Sequence, residues 1–169
     1  MPITRRHVLA LGAATAAAGG VGVGVLYGRW WDQPVGEGYR YLSLEEGAFL
    51  EAFAETAYPP GGAPAVSGGE LGLSHFLDEL SGAMEPTART LVRALFHLMD
   101  DWPLPARGAR FTELDQAQRT EVFGVWMHHE LSEIRNAFQS IVLLLGMGYT
   151  THPRTVGWFR QLYPCAYGA

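Results

Sequence analysis

Ser43-Leu44-Glu45-Glu46-Gly47-Ala48-Phe49-Leu50-Glu51-Ala52-Phe53-Ala54-Glu55-Thr56-Ala57-Tyr58-Pro59-Pro60 is the stretch that decides the fold. Ser43 with Glu46 three residues on is a capping box. The Ser side chain serves the Glu46 amide, and the Glu side chain reaches back to the cap. Phe49, Leu50, Phe53 and Ala57 then recur at helical spacing, so one face is apolar. Pro59-Pro60 stops the run. The first regular element of the body is thus a capped, one-sided helix, which needs other helices or a sheet to cover its apolar face.

Downstream the same period continues. Residues 59–70 are rich in Pro, Gly and Ser and read as a loop. Leu71 to Leu80 predicts a short second helix with Leu73, Phe76, Leu77 and Leu80 inward. Pro86 suits a first helical turn. A third helix follows, with Leu91, Val92, Leu95, Phe96 and Met99 on its face, and Trp102-Pro103-Leu104-Pro105 ends it. Asp115 with Gln118 is a second cap, opening a helix that buries Val122, Phe123 and Trp126. Ser132 starts a fifth helix presenting Ile134, Ala137, Phe138, Ile141, Val142 and Leu145, closed by Gly146 and Gly148. No stretch alternates with period two, and no repeat or second domain is visible. The expected fold is all-α: a single small bundle of about five helices over residues 43–169, with an irregular, aromatic-rich C-terminal tail. A linker over 28–42 and a signal or anchor helix over 1–27 precede it.

Thr4-Arg5-Arg6-His7-Val8-Leu9 places two arginines directly before Val8–Tyr27, a run of 20 uncharged residues. A basic n-region followed by an apolar h-region marks an export signal. Adjacent arginines resemble the twin-arginine signals. Thr4, Arg5, Arg6 and Leu9 match that pattern, while Val8 and Ala10 stand where Phe and Lys are usual. The resemblance implies a passenger that crosses the membrane folded, as cofactor-loaded proteins and their escorts do. The run is long enough to span an apolar core of about 30 Å. Tyr27, Trp30 and Trp31 follow where an interfacial aromatic belt would sit. A cleaved signal and a retained anchor both remain open.

The chain has 169 residues, no lysine, 12 arginines and 17 acidic residues. Without Arg5 and Arg6, 10 arginines face 17 acidic residues, a net charge of −7. An acidic body with scattered arginines argues against nucleic acid as a partner, since that needs a basic stripe. The single cysteine, Cys165, excludes an internal disulfide and a self-contained iron–sulfur cluster. No phosphate loop, haem-attachment motif or His-Glu-x-x-His motif is present. His128, His129, Glu130 and Glu133 form the one polar constellation of interest. His129 and Glu133 would share a helical face, and imidazole with carboxylate suits Zn or Fe. The cluster lies at an expected helix junction and lacks the matched second pair of a di-metal bundle. Surface and capping roles explain it more simply. His97 reads as a satisfied core or rim residue.

The tail from Tyr149 carries Tyr149, Trp158, Phe159, Tyr163 and Tyr167. Two readings stand: an exposed aromatic surface that meets a partner, or rings that wrap the bundle and complete its core.

Leu42-Ser43-Leu44-Glu45-Glu46 leading to Tyr58-Pro59, then Phe111 to Arg119, then Gly148-Tyr149-Thr150-Thr151-His152-Pro153 resemble the gluconate 2-dehydrogenase subunit 3 family. The resemblance covers roughly residues 40–160. It implies a non-catalytic small subunit of a periplasm-facing sugar or polyol dehydrogenase. The large subunit would be a glucose–methanol–choline-type flavoprotein carrying FAD, and a multi-haem cytochrome c subunit would pass electrons to quinone. The small subunit would escort the signal-less large one through the twin-arginine translocon and stabilise it. No catalytic residue is implied here. The alternative is a metal-binding or free-standing membrane-anchored bundle using His128, His129 and Glu133. With a partner in view, Cys165 is an odd cysteine in an exported chain. It is expected to form a disulfide with the large subunit, or else to be buried and inert.

Overall fold

A computed structural model describes Trp30 and residues 33–163. Arg5, Arg6, Leu9 and the apolar run to Tyr27 lie outside the described residues, as do Cys165 and Tyr167. The chain divides into two units, Met1–Pro34 and Val35–Ala169. The boundary falls inside the stretch read as a linker, so Val35–Leu42 belongs with the helical body.

Within the described residues every regular element of the body is helical. The order is α1 (Leu44–Ala57), a 3-10 turn (Gly69–Leu71), α2 (Leu73–Ala83), α3 (Pro86–Asp101), α4 (Leu104–Arg107), a second 3-10 turn (Phe111–Glu113), α5 (Gln116–Met127), α6 (Ser132–Thr151) and α7 (Val156–Leu162). None of the described helices is long and apolar enough to cross a membrane. α1 packs on α2 and α3, α2 and α5 pack on α6, and α6 carries α7.

The caps form as their residues dictate. The Glu46 amide donates to Ser43 Oγ at 3.2 Å, and the Ser43 amide donates to Glu46 Oε2 at 2.7 Å. Asp115 and Gln118 repeat the pattern at α5, at 2.8 and 3.1 Å. Pro86 is the first residue of α3, where its missing N–H costs nothing.

The core is aromatic. Phe53 is fully buried, with rings of Phe49, Phe111, Phe123, Trp126 and Phe138 at centroid distances from 4.5 to 6.1 Å. Each such ring contributes about 1.5–3 kcal/mol by leaving water, with a further increment from tilted and edge-to-face contacts.

Several expectations need correcting. α2 begins at Leu73, not Leu71. Gly72 sits at φ +58°, a left-handed conformation that breaks the backbone between the 3-10 turn and the helix. Gly146 and Gly148 do not close α6, which runs on to Thr151. A Cβ on Gly148 would come within 2.6 Å of the Phe76 ring, so this glycine lets α2 approach α6 rather than ending the helix. Leu91 is not inward; it is 52% exposed. The described part of the tail is not irregular, because Tyr149 lies inside α6 and Trp158 and Phe159 inside α7.

Candidate docking surface

The C-terminal arm is built on a turn. Thr155 is fully buried, and its hydroxyl donates back to the carbonyls of Tyr149 and His152. The Tyr149 carbonyl, near the end of α6, is satisfied in this way, and α7 starts from the same turn. The Arg154 guanidinium pairs with Glu70 at 3.0 Å. That contact is the leading reason the Glu70 carboxyl sits below its ordinary range.

The predicted interface residues separate along this arm. Tyr149 is buried, stacked on Tyr58 at 4.0 Å with its hydroxyl donating to the Val66 carbonyl at 2.7 Å. Burial pushes the Tyr149 and Tyr58 phenols above their usual pKa. Tyr149 therefore completes the core and fastens the 59–70 loop, so it offers no surface to a partner. Phe159 is half-buried, edge-on to Tyr149 at 6.0 Å, and Trp158 is half-buried, edge-on to Phe159 at 4.9 Å. Tyr163 is 57% exposed. Rings near the start of the arm serve the bundle, and the end of the arm faces outward.

Other apolar side chains are uncovered. Leu143 and Met147 lie one turn apart on the outer face of α6, with Leu143 67% exposed. On α3, Leu91 and Leu98 are exposed while Leu95 and Trp102 are half-buried along the same stripe. Sequence periodicity placed Leu91 inward because it reports a face and not what covers that face. Leu143 and Met147 had no signal beyond falling off the apolar stripe of α6.

The histidine constellation lies at the turn between α5 and α6. His128 is exposed at the end of α5. His129 Nδ1 accepts from the Leu131 amide at 3.1 Å, and its ring meets Trp102 edge-on at 5.3 Å. Glu133 accepts from Ser132 Oγ at 3.2 Å. Arg135 caps the carbonyls of His129 and Glu130. Among the described residues, no group of three or more His, Cys, Asp or Glu is placed to hold a metal ion.

An open groove of about 550 Å³ lies beside α1, lined by Glu51, Glu55, Ser67, Glu70 and Arg119 among others. Its charges are answered locally: the Ser74 hydroxyl donates to Glu51 at 3.1 Å, and Arg119 stands 3.7 Å from Glu55.

A buried ionic centre joins α1 to α3. Glu46 Oε1 takes Arg93 Nε at 2.7 Å and lies 3.0 Å from His97 Nε2. Burial alone would raise the Glu46 pKa. His97, Arg93 and the Ser43 amide overcome it and hold the carboxyl below its ordinary value. Nearby, burial raises Asp100 even though the Thr112 amide and hydroxyl donate to it at 2.9 and 3.0 Å. His97 is thus a satisfied core histidine, as its apolar setting suggested.

No family model matches the chain, no curated protein matches it, and no solved structure matches it.

Proposed function

We propose that this chain is the non-catalytic small subunit of a periplasm-facing dehydrogenase. It escorts an FAD-carrying large subunit of glucose–methanol–choline type through the twin-arginine translocon and then stabilises it. The observation that carries the reading is Arg5-Arg6 ahead of a soft apolar run, on a chain whose sequence shows no cofactor motif. The gluconate 2-dehydrogenase subunit 3 resemblance supports it. So do the uncovered apolar side chains on α3, α6 and the end of α7, since exposed apolar residues suit a chain that works as part of a complex. FAD belongs to the partner, and a multi-haem cytochrome c subunit takes the electrons onward. The complex resides on the periplasmic side of the inner membrane, with the apolar run as cleaved signal or anchor.

Replacing Arg5 and Arg6 together by Lys keeps the charge and tests the address. The reading expects both subunits to stay in the cytoplasm. Unchanged periplasmic amounts of this variant would rule out the twin-arginine route. Replacing His128 and His129 together by Ala should leave complex formation and turnover near wild type, because both residues act at a surface turn. A lost kcat in an intact complex would promote the metal-binding alternative.

A further inference from the structure

The segment Gly36–Leu42, which joins the N-terminal signal region to the body, is gripped by residues much later in the chain. Asp78 on α2 is 4% exposed. Its two carboxylate oxygens accept three consecutive amides, those of Arg40 at 2.7 Å, Tyr41 at 2.9 Å and Leu42 at 2.9 Å. The Gly36 amide donates to the Leu42 carbonyl at 2.9 Å and closes the segment on itself. Tyr39 donates to Ser74 Oγ at 3.0 Å and stacks on His75 of α2 at 4.9 Å. The Arg89 guanidinium of α3 covers the Tyr41 ring at 4.3 Å.

Two glycines make room for this neck. A Cβ on Gly47 of α1 would collide with the Tyr39 ring, and one on Gly82 of α2 would lie 2.8 Å from the Tyr41 ring. Each glycine costs its helix about 1 kcal/mol of propensity relative to alanine. None of these contacts with α2 and α3 is local. A buried carboxylate whose partners are three amides some 36–38 residues away has them only after α2 has docked.

We infer that the neck is a fold-reporting clasp: Asp78 and the Tyr39 and Tyr41 seats order the chain next to the export signal only when α1, α2 and α3 are assembled. An unassembled body presents a loose segment downstream of the signal, and a translocon that accepts folded passengers refuses it. This inference rests on the twin-arginine reading above and adds to it the part of the body that licenses export.

The test uses the full chain. Asp78→Asn keeps the volume but removes the charge and replaces one acceptor oxygen with a carboxamide NH2, which opposes the amides that oxygen held. Leu73 and Leu77 still anchor α2 in the core, so circular dichroism and cooperative melting should persist. Hydrogen exchange at the amides of Arg40, Tyr41 and Leu42 should speed up about tenfold or more, as loss of a charge-assisted bond requires, with α6 unchanged. The exported fraction should fall severalfold. Gly82→Ala is the second variant. Gly82 is exposed, alanine favours the helix, and the new methyl displaces Tyr41, so the neck opens on a folded body. The same export loss is expected. A neck opened by exchange with export unchanged, or neck exchange unchanged in both variants, overturns the inference. The Arg5→Lys, Arg6→Lys chain separates the causes. If it stops export while open-necked variants pass, the clasp alone fails. If it passes, the twin-arginine reading fails and takes the clasp with it.

Discussion

The neck and the C-terminal arm of the same body are held by opposite chemistry. The neck is sealed by charge: Asp78 under three amides, with Glu46 between Arg93 and His97 just beyond it. The arm is held by rings and one threonine: Tyr58 on Tyr149, Phe159 against Tyr149, Trp158 against Phe159, Thr155 beneath. A buried charge has few acceptable partners, so it fixes one register. Stacked rings tolerate small shifts and leave apolar edges uncovered. The first chemistry suits the fold-reporting role we infer for the neck. The second suits the docking role proposed for the end of the arm.

Both regions depend on the same core. Phe53→Ala removes the ring touched by five other aromatics and should destabilise the body by about 4 kcal/mol, loosening neck and arm together. Denaturant titration with probes in both regions checks this. Separate transitions would mean that the two do not share a core.

Glu46→Gln breaks the ionic centre that joins α1 to α3. Removing one partner of a buried pair costs about 3–5 kcal/mol, and the 24% exposure of the Arg93 side chain brings the expected loss towards the lower figure. The pH dependence has a definite sign. The folded-state pKa of Glu46 lies below its ordinary 4.5, so its stabilisation is complete above that value. It is lost as pH falls through the lower folded value. Asp100 is shifted upward and works in the opposite sense, so the quantity to measure is the difference between wild type and Glu46→Gln. That difference should be large at neutral pH and shrink as pH falls below the ordinary 4.5 and through the lower folded value. A difference independent of pH would contradict the assignment.

Thr155→Val tests the arm. It keeps the shape but deprives the Tyr149 carbonyl of the Thr155 hydroxyl, at about 1–2 kcal/mol, while the His152 carbonyl keeps the Thr155 and Val156 amides. Exchange of the α7 amides should rise while the neck stays protected. Smaller still is the expected effect of Leu143→Ser with Met147→Ser, within about 0.5 kcal/mol because both side chains face water. If α6 contacts a partner, the same pair should lower recovery of the complex. Recovery equal to wild type would remove α6 from the interface.

Capping boxes and the period-3.6 stripes were legible because each is written within a few residues: Ser43 with Glu46, Asp115 with Gln118, Phe49 with Phe53. Pairings across 30 residues or more were not. Nothing near Asp78 announces that it will hold Arg40 to Leu42, and a stretch with Pro34, Gly36 and Gly38 reads as loose. Gly146 and Gly148 carried the composition of a helix end, but both lie inside α6, and the Phe76 ring on α2 decides the role of Gly148. In the arm, sequence counted the rings but could not tell which of them Tyr58 and the bundle would claim. Arg5, Arg6, Cys165 and Tyr167 lie outside the described residues, so the roles proposed for them rest on sequence. A disulfide through Cys165 should appear as a joined band on non-reducing electrophoresis after thiol blocking during lysis. Separate bands would exclude it.

The most direct measurement is isolation of the intact complex through a tag on this chain, from cells expressing it with its neighbouring reading frames. The account predicts a larger polypeptide that co-purifies in stoichiometric amount, carries no export signal of its own, and brings the visible spectrum of bound FAD. A chain that purifies alone and colourless, or that itself carries a stoichiometric metal, would contradict it.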